Sequence, residues 1–99
     1  MEFRFECGIE TFTPELHGPT PCRSGAIFEG WHGDAAFTVA VGDVPHEVAN
    51  LLEVTEKALW AGIEQAVHGN RLGDIGAAVE AVAEPHGLGV VRDYVGHGI

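Results

Sequence analysis

Hydrophobic positions along this chain follow three rhythms. From Met1 to Cys7 they alternate with charged ones (Phe3, Arg4, Phe5, Glu6), the period-two pattern of a short strand. Thr13-Pro14, Gly18-Pro19 and Thr20-Pro21 then interrupt any regular element. No helix or strand of useful length is expected between Pro14 and Arg23, and residues 1–23 read as an irregular N-terminal segment. Gly25 to Phe28 is a short apolar run, Glu29-Gly30 suits a tight turn, and Ala35 to Val41 (AAFTVAV) is a second run rich in β-branched residues. Together these predict a β-hairpin with His32, Gly33 and Asp34 on its returning arm.

Helical spacing takes over after Gly42. Pro45 fits a first helical turn, where its missing N–H costs nothing, and Glu47 suits the positive end of the helix dipole. Val48, Leu51, Leu52, Leu59, Ile63 and Ala66 keep one face, and Gly69-Asn70 offers a stop. A second helix is expected from about Leu72 to Ala83, with Leu72, Ile75, Val79 and Val82 aligned, Asp74 in its first turn and His86-Gly87 as its exit after Pro85. Val90 to Tyr94 reads as a closing strand before Gly96-His97-Gly98-Ile99. The order hairpin, helix, helix, strand gives an α+β fold in one domain, with residues 24–99 as its body.

Charge narrows the partners. Fifteen Asp and Glu against five Lys and Arg leave a net charge of −10, which repels phosphate backbones and anionic lipid surfaces. Nucleic acid and membrane are therefore excluded as expected partners, and an acidic surface of this kind most simply serves solubility. No charged n-region followed by an apolar stretch opens the sequence, so an unexported, cytoplasmic chain is expected. In that setting Cys7 and Cys22, 15 positions apart, are expected to be free thiols, and their spacing fits no zinc pattern.

Two positions invite a chemical reading. Asp34 follows Gly33 on a strand, and His97 stands between Gly96 and Gly98, where backbone approaches a neighbour closely. Carboxylate and imidazole are ligands for Mn, Fe, Co or Zn, although on spacing alone a hairpin Asp and a satisfied surface His are the favoured explanation. His32, two residues before Asp34, shares its face of the strand and is a candidate group beside a metal ligand or substrate. His17, His46, His68 and His86 rank lower. No phosphate-binding glycine loop is present, and Ser24, the sole serine, lies in no G-x-S-x-G elbow.

The stretch GAIFEGWHGDAAFTVAVG resembles the D-G-x-H-G-D hairpin of type I methionine aminopeptidases, with Glu29 where that family usually has Asp. GNRLGDIG followed by VVRDYVGHGI resembles the same family, and the similarity runs from Gly25 to Ile99. The resemblance implies part of a pita-bread fold and a cytoplasmic metallopeptidase that removes methionine from the N-termini of proteins. Intact members hold two divalent ions, drawn from Co, Mn, Fe and Zn, with two Asp, one His and two Glu.

Carried over by position, Asp34 matches the second aspartate and His97 the metal-binding histidine. The first aspartate is expected eleven positions before Asp34, where this chain has Arg23. The glutamates lie beyond the G-H-G-I segment in that family. The expectation is an inactive partial copy without a catalytic residue of its own, in which Asp34 and His97 are remnant ligands and metal binding is weak or lost. The alternative is a non-catalytic module that acts through a partner chain. Exposed sheet edges and apolar surface would favour self-association in either case.

Overall fold

The computed structural model describes residues 2–7 and 18–94. They form two compact units, a three-stranded sheet that precedes His46 and a helical unit that begins there.

In the sheet, β1 (Glu2–Cys7), β2 (Gly18–Phe28) and β3 (Trp31–Val41) pair antiparallel in the order β1-β2-β3. The expected hairpin is present. Glu29 (φ 50°) and Gly30 (φ 84°) both adopt positive φ, the two-residue turn whose twist matches that of the flanking strands. That turn fixes the register, so Phe28 faces Trp31, Gly25 faces Asp34 and Gly18 faces Val41.

The first arm corrects the sequence reading, because β2 starts at Gly18 and runs through Pro19 and Pro21. Proline is tolerated in a strand where its missing N–H turns away from a ladder. Pro19 and Pro21 are two apart and so present the same backbone edge. β1 reaches only to Cys7 opposite Cys22, which leaves that edge uncovered by β1 at both prolines. The alternating segment at the N-terminus does form the strand its pattern suggests.

Cys22 also departs from expectation. It is 3% exposed and disulfide-bonded, and the chain's other cysteine, Cys7, is its Cα partner across the ladder. Sequence spacing hid this, because antiparallel pairing folds 15 positions of chain back to a single rung.

The helical unit contains α1 (His46–Glu64), α2 (Leu72–Ala83) and a 3-10 turn (Glu84–His86). Pro45 immediately precedes α1, and Gly69 (φ 98°) lies in the connection to α2. Asn70 ties that connection back by donating through Nδ2 to the Gln65 backbone oxygen (3.0 Å) and to its Oε1 (3.1 Å). At the start of α2 the Arg71 N–H donates to the Asp74 carboxylate at 2.7 Å, satisfying a donor that precedes the helix. Gly87 (φ 68°) ends the 3-10 turn after Pro85, as the sequence predicts.

The contact between the helices uses a different face of α1 from the one its large residues suggest. Val54, Ala58 and Gly62, spaced by four, are buried, whereas Leu51, Leu59 and Ile63 are exposed. A Cβ on Gly62 would lie 3.0 Å from Val79 Cγ2 and 3.4 Å from Ile75 Cγ2, so glycine lets the helices approach closely. On α2 the expected residues Ile75, Val79 and Val82 are half-buried, but Leu72 is 87% exposed at the first turn.

Val90 to Tyr94 is not a strand. Among the described residues it has no ladder partner, and its exposed backbone is left to water instead of a neighbouring strand. Arg92 instead pairs with Glu80 on α2. No helix among the described residues is long and apolar enough to cross a membrane.

Candidate metal centre

Asp34 and His32 lie on β3, and their side chains occupy one face of the sheet because residues two apart on a strand point the same way. The register extends that face across β2. Ile27 stands opposite His32, Gly25 opposite Asp34, and Arg23 opposite Ala36. Asp34 is therefore flanked along its own strand by His32 and Ala36, and diagonally on β2 by Ile27 and Arg23. Directly across from it, Gly25 contributes no side chain, and a Cβ built there would meet only the Gly33 carbonyl oxygen at 3.8 Å. On the β1 side, Arg4 is the Cα partner of Gly25 and Glu6 that of Arg23.

His32, Asp34 and Arg23 are all exposed. The arrangement brings together two of the candidate groups, the imidazole of His32 and the carboxylate of Asp34. His97, the third, lies outside the described residues. Among those described, no three His, Cys, Asp or Glu side chains converge to hold a metal ion.

The donor set does not fit a pair of divalent ions. Two cations a few ångströms apart need bridging carboxylates to offset their mutual repulsion, and β2 and β3 offer one on this face. Diagonal neighbours on paired strands are roughly 7–8 Å apart at Cα, within reach of a long side chain. Arg23 thus brings a permanent positive charge to the neighbourhood of Asp34, where a second carboxylate would be required.

The sequence pointed to position 23 through the eleven-residue spacing that the family resemblance implies. It did not reveal the gap that Gly25 leaves opposite Asp34. The signal for it was the two-residue turn, which fixes every rung of the hairpin once Glu29-Gly30 is accepted as its tip.

His46 opens α1, His68 lies in the connection between the helices, and His86 ends the 3-10 turn, each of them exposed. His17 lies outside the described residues.

Comparison with known proteins agrees with the hairpin and the helices. A model of metallopeptidase family M24 matches residues 17–99. The chain is 52% identical over 75 residues to the methionine aminopeptidase of Clostridium acetobutylicum, covering 76% of this chain and 30% of that protein. Against methionine aminopeptidase 1 of Bacillus subtilis the identity is 44% over 75 residues, again 76% and 30% of the two chains. Among solved structures, the methionine aminopeptidase of Thermotoga maritima superposes with a TM-score of 0.77 at 37% identity, over 84% of this chain and 34% of that one. A streptococcal methionine aminopeptidase gives 0.67 at 32% identity, over 94% and 45%. The chain thus spans about 30% of the length of the curated relatives it matches. With most of its length matched by the family model and its fold shared with solved members, this chain belongs to metallopeptidase family M24.

Proposed function

We propose that the chain carries the hairpin-and-helix portion of a methionine aminopeptidase scaffold and does not, as a single chain, hydrolyse peptides. The observation that carries this reading is the face around Asp34. On β2 and β3 it presents one carboxylate and one imidazole, with an arginine beside them, and no three metal-ligating side chains converge among the described residues. Activation of water between two cations lowers its pKa only while both ions stay clamped, and a single Asp with a single His leaves a divalent ion weakly held and mostly hydrated. The substrates of an intact relative are peptides that begin with methionine, and its cofactors are two ions from among Co, Mn, Fe and Zn. In this chain metal binding is weak or absent.

The test is an assay of methionine release from a Met-Ala-Ser peptide in the presence of Mn(II) or Co(II). No release above the metal-only control is expected. Release that disappears in Asp34→Ala would overturn the proposal.

A second reading, a non-catalytic module that works through another chain, is favoured by the exposed apolar positions on β3. Trp31 is 80% exposed, and Phe37 and Val39 on the same face are exposed as well. Three large apolar groups on one strand face are more than isolated surface residues need. Association of the purified chain with itself or with an intact relative, seen by light scattering, is the outcome this reading expects. A monomer at every concentration that captures no relative would count against it.

A further inference from the structure

We infer that this chain pairs with a second copy of itself through the outer edge of β3, antiparallel about a twofold axis at Thr38, so that residues 35–41 of each copy lie along the same residues of the other. The inference rests on the second reading above and gives it an occupant and a register. Proteins protect an exposed strand edge by short length, charge, proline or a bulge. At the opposite side of the sheet, β1 is short and alternates with Glu2, Arg4 and Glu6, and β2 carries Pro19 and Pro21 where β1 ends. β3 has none of these devices. It runs for eleven residues without Pro, Lys or Arg, and its register against β2 is unbroken. Every residue from Trp31 to Ala40 is exposed, Gly33, Ala35 and Ala36 included, and no strand among the described residues pairs with its outer edge.

The turn decides which groups face outward. Phe28 and Trp31 close a two-residue turn as a hydrogen-bonded rung, so the odd positions of β3 bond to β2. The N–H and C=O of Ala36, Thr38 and Ala40 therefore point the other way. Residues 35–41 read AAFTVAV, an uncharged run without Pro or Gly and rich in strand-forming residues. Gly42 (φ 68°) ends it, and His32 and Asp34 lie outside it, so neither is asked to make a contact. Only an axis at Thr38 pairs this whole run with itself. That axis sets Thr38 opposite its counterpart, Phe37 opposite Val39 and Ala36 opposite Ala40. Threonine pairs and aromatic pairs with β-branched residues both stabilise a ladder. Phe37 (52% exposed) and Val39 (45%) share a face, so pairing gathers four apolar side chains that each copy alone leaves in water. Each copy has one such edge, and the assembly closes at two.

The experiment is sedimentation equilibrium of the full 99-residue chain without reductant, alone and with an intact methionine aminopeptidase, joined to amide hydrogen exchange by NMR at low and high concentration. A monomer–dimer equilibrium is expected, tightened by salt because each copy carries a net charge of −10. As concentration rises, the amides of Ala36, Thr38 and Ala40 should gain protection, while those of Phe37 and Val39, already bonded to β2, should not change. Ala36→Pro removes an outward N–H and spares the ladder to β2, so association should weaken about tenfold. Thr38→Lys and Thr38→Glu each set like charges face to face at the axis and should also weaken it about tenfold, and an equal mixture of the two should regain it. These two carry the test if circular dichroism shows that Ala36→Pro does not fold. Outward amides that exchange alike at every concentration, assemblies larger than two, a mixture no tighter than its components, or an intact relative that displaces the second copy would overturn the inference. A monomer at every concentration would overturn it together with the second reading, whereas a dimer indifferent to position 38 would overturn the inference alone. None of these outcomes bears on methionine release.

Discussion

Where α1 meets α2, Gly62 lies against Ile75 and Val79, on a stripe with Val54 and Ala58, each four residues from the next and each buried. Where β2 meets β3, eleven rungs of backbone pairing join strands whose aromatic side chains remain exposed. The helical unit is therefore held by shape, through close approach of small residues. The sheet unit is held by its ladder, with Cys22 disulfide-bonded near the end of β1. Bulk added to the first should be costly, whereas bulk on β3 should matter little. Conversely, a lost covalent bond should weaken the second and leave the first alone.

The largest expected effect tests the cross-link. Cys22→Ser removes a bond that closes a loop of 15 positions if Cys7 is its partner, and about 3 kcal/mol of stability should go with it. Thermal melts and amide hydrogen exchange would check it, together with a count of thiols titrated under denaturing conditions with and without reductant. Loss of protection confined to β1 and β2 would support the contrast between the units. Equal loss in α1 and α2 would break it.

Next comes Gly62→Leu, which forces a side chain into a space where even a Cβ would lie 3.0 Å from Val79. Overpacking of this kind costs about 2 kcal/mol, and exchange protection should fall in both helices. A change of similar bulk on β3, Ala36→Leu, is the contrasting control, because Ala36 is exposed and the cost there should be small.

A smaller gain is expected at the hairpin tip. Glu29 adopts φ 50°, which crowds its Cβ against the backbone, while asparagine accepts that conformation more readily. Glu29→Asn should raise stability by about 1 kcal/mol, seen as a higher melting temperature for the sheet. No gain would mean that contacts elsewhere in the turn already offset the strain.

The smallest effect concerns charge on α1. The Lys57 ammonium donates to the Glu53 carboxylate and adds its own field, which together hold that carboxyl below its usual range. A depressed folded-state pKa stabilises above the unfolded value, and the contribution fades as pH falls through the folded one. Glu53 is fully exposed, so the effect should be visible in an NMR titration and negligible in a melt. Its midpoint should lie below the usual glutamate range and rise toward it in Lys57→Met. A midpoint unaffected by that change would remove the ion pair from the account of α1.

Much of this contrast was legible in the sequence, but unevenly. The hairpin tip, the span of α2 and the stop at Gly87 carry local signals that the structure follows, because turn chemistry and capping act over a few residues. The buried face of α1 was not legible. Ala58 and Gly62 carry little hydropathy, so the eye follows Leu51 and Leu59, and only the partner helix decides which stripe is covered. Pro19 and Pro21 hid the first half of β2 for a related reason, since whether a proline disrupts a ladder depends on which edge is paired. At the candidate site the shared face of His32 and Asp34 followed from strand alternation. Arg23 followed from spacing once the family resemblance was recognised. Val90 to Tyr94 had the composition of a strand, but composition does not supply a neighbouring strand to pair with.

The two prolines of β2 have one more consequence. A strand that grows by zippering stops where it meets a rung without a donor, so Pro19 and Pro21 act as a terminator for pairing beyond Cys22. A segment of another chain that followed β2 along this edge would meet no donor at Pro21 or Pro19. The hairpin is in this sense written with its own punctuation: an opening mark at Glu29-Gly30 and a full stop at the prolines, past the six rungs that join Glu2–Cys7 to β2.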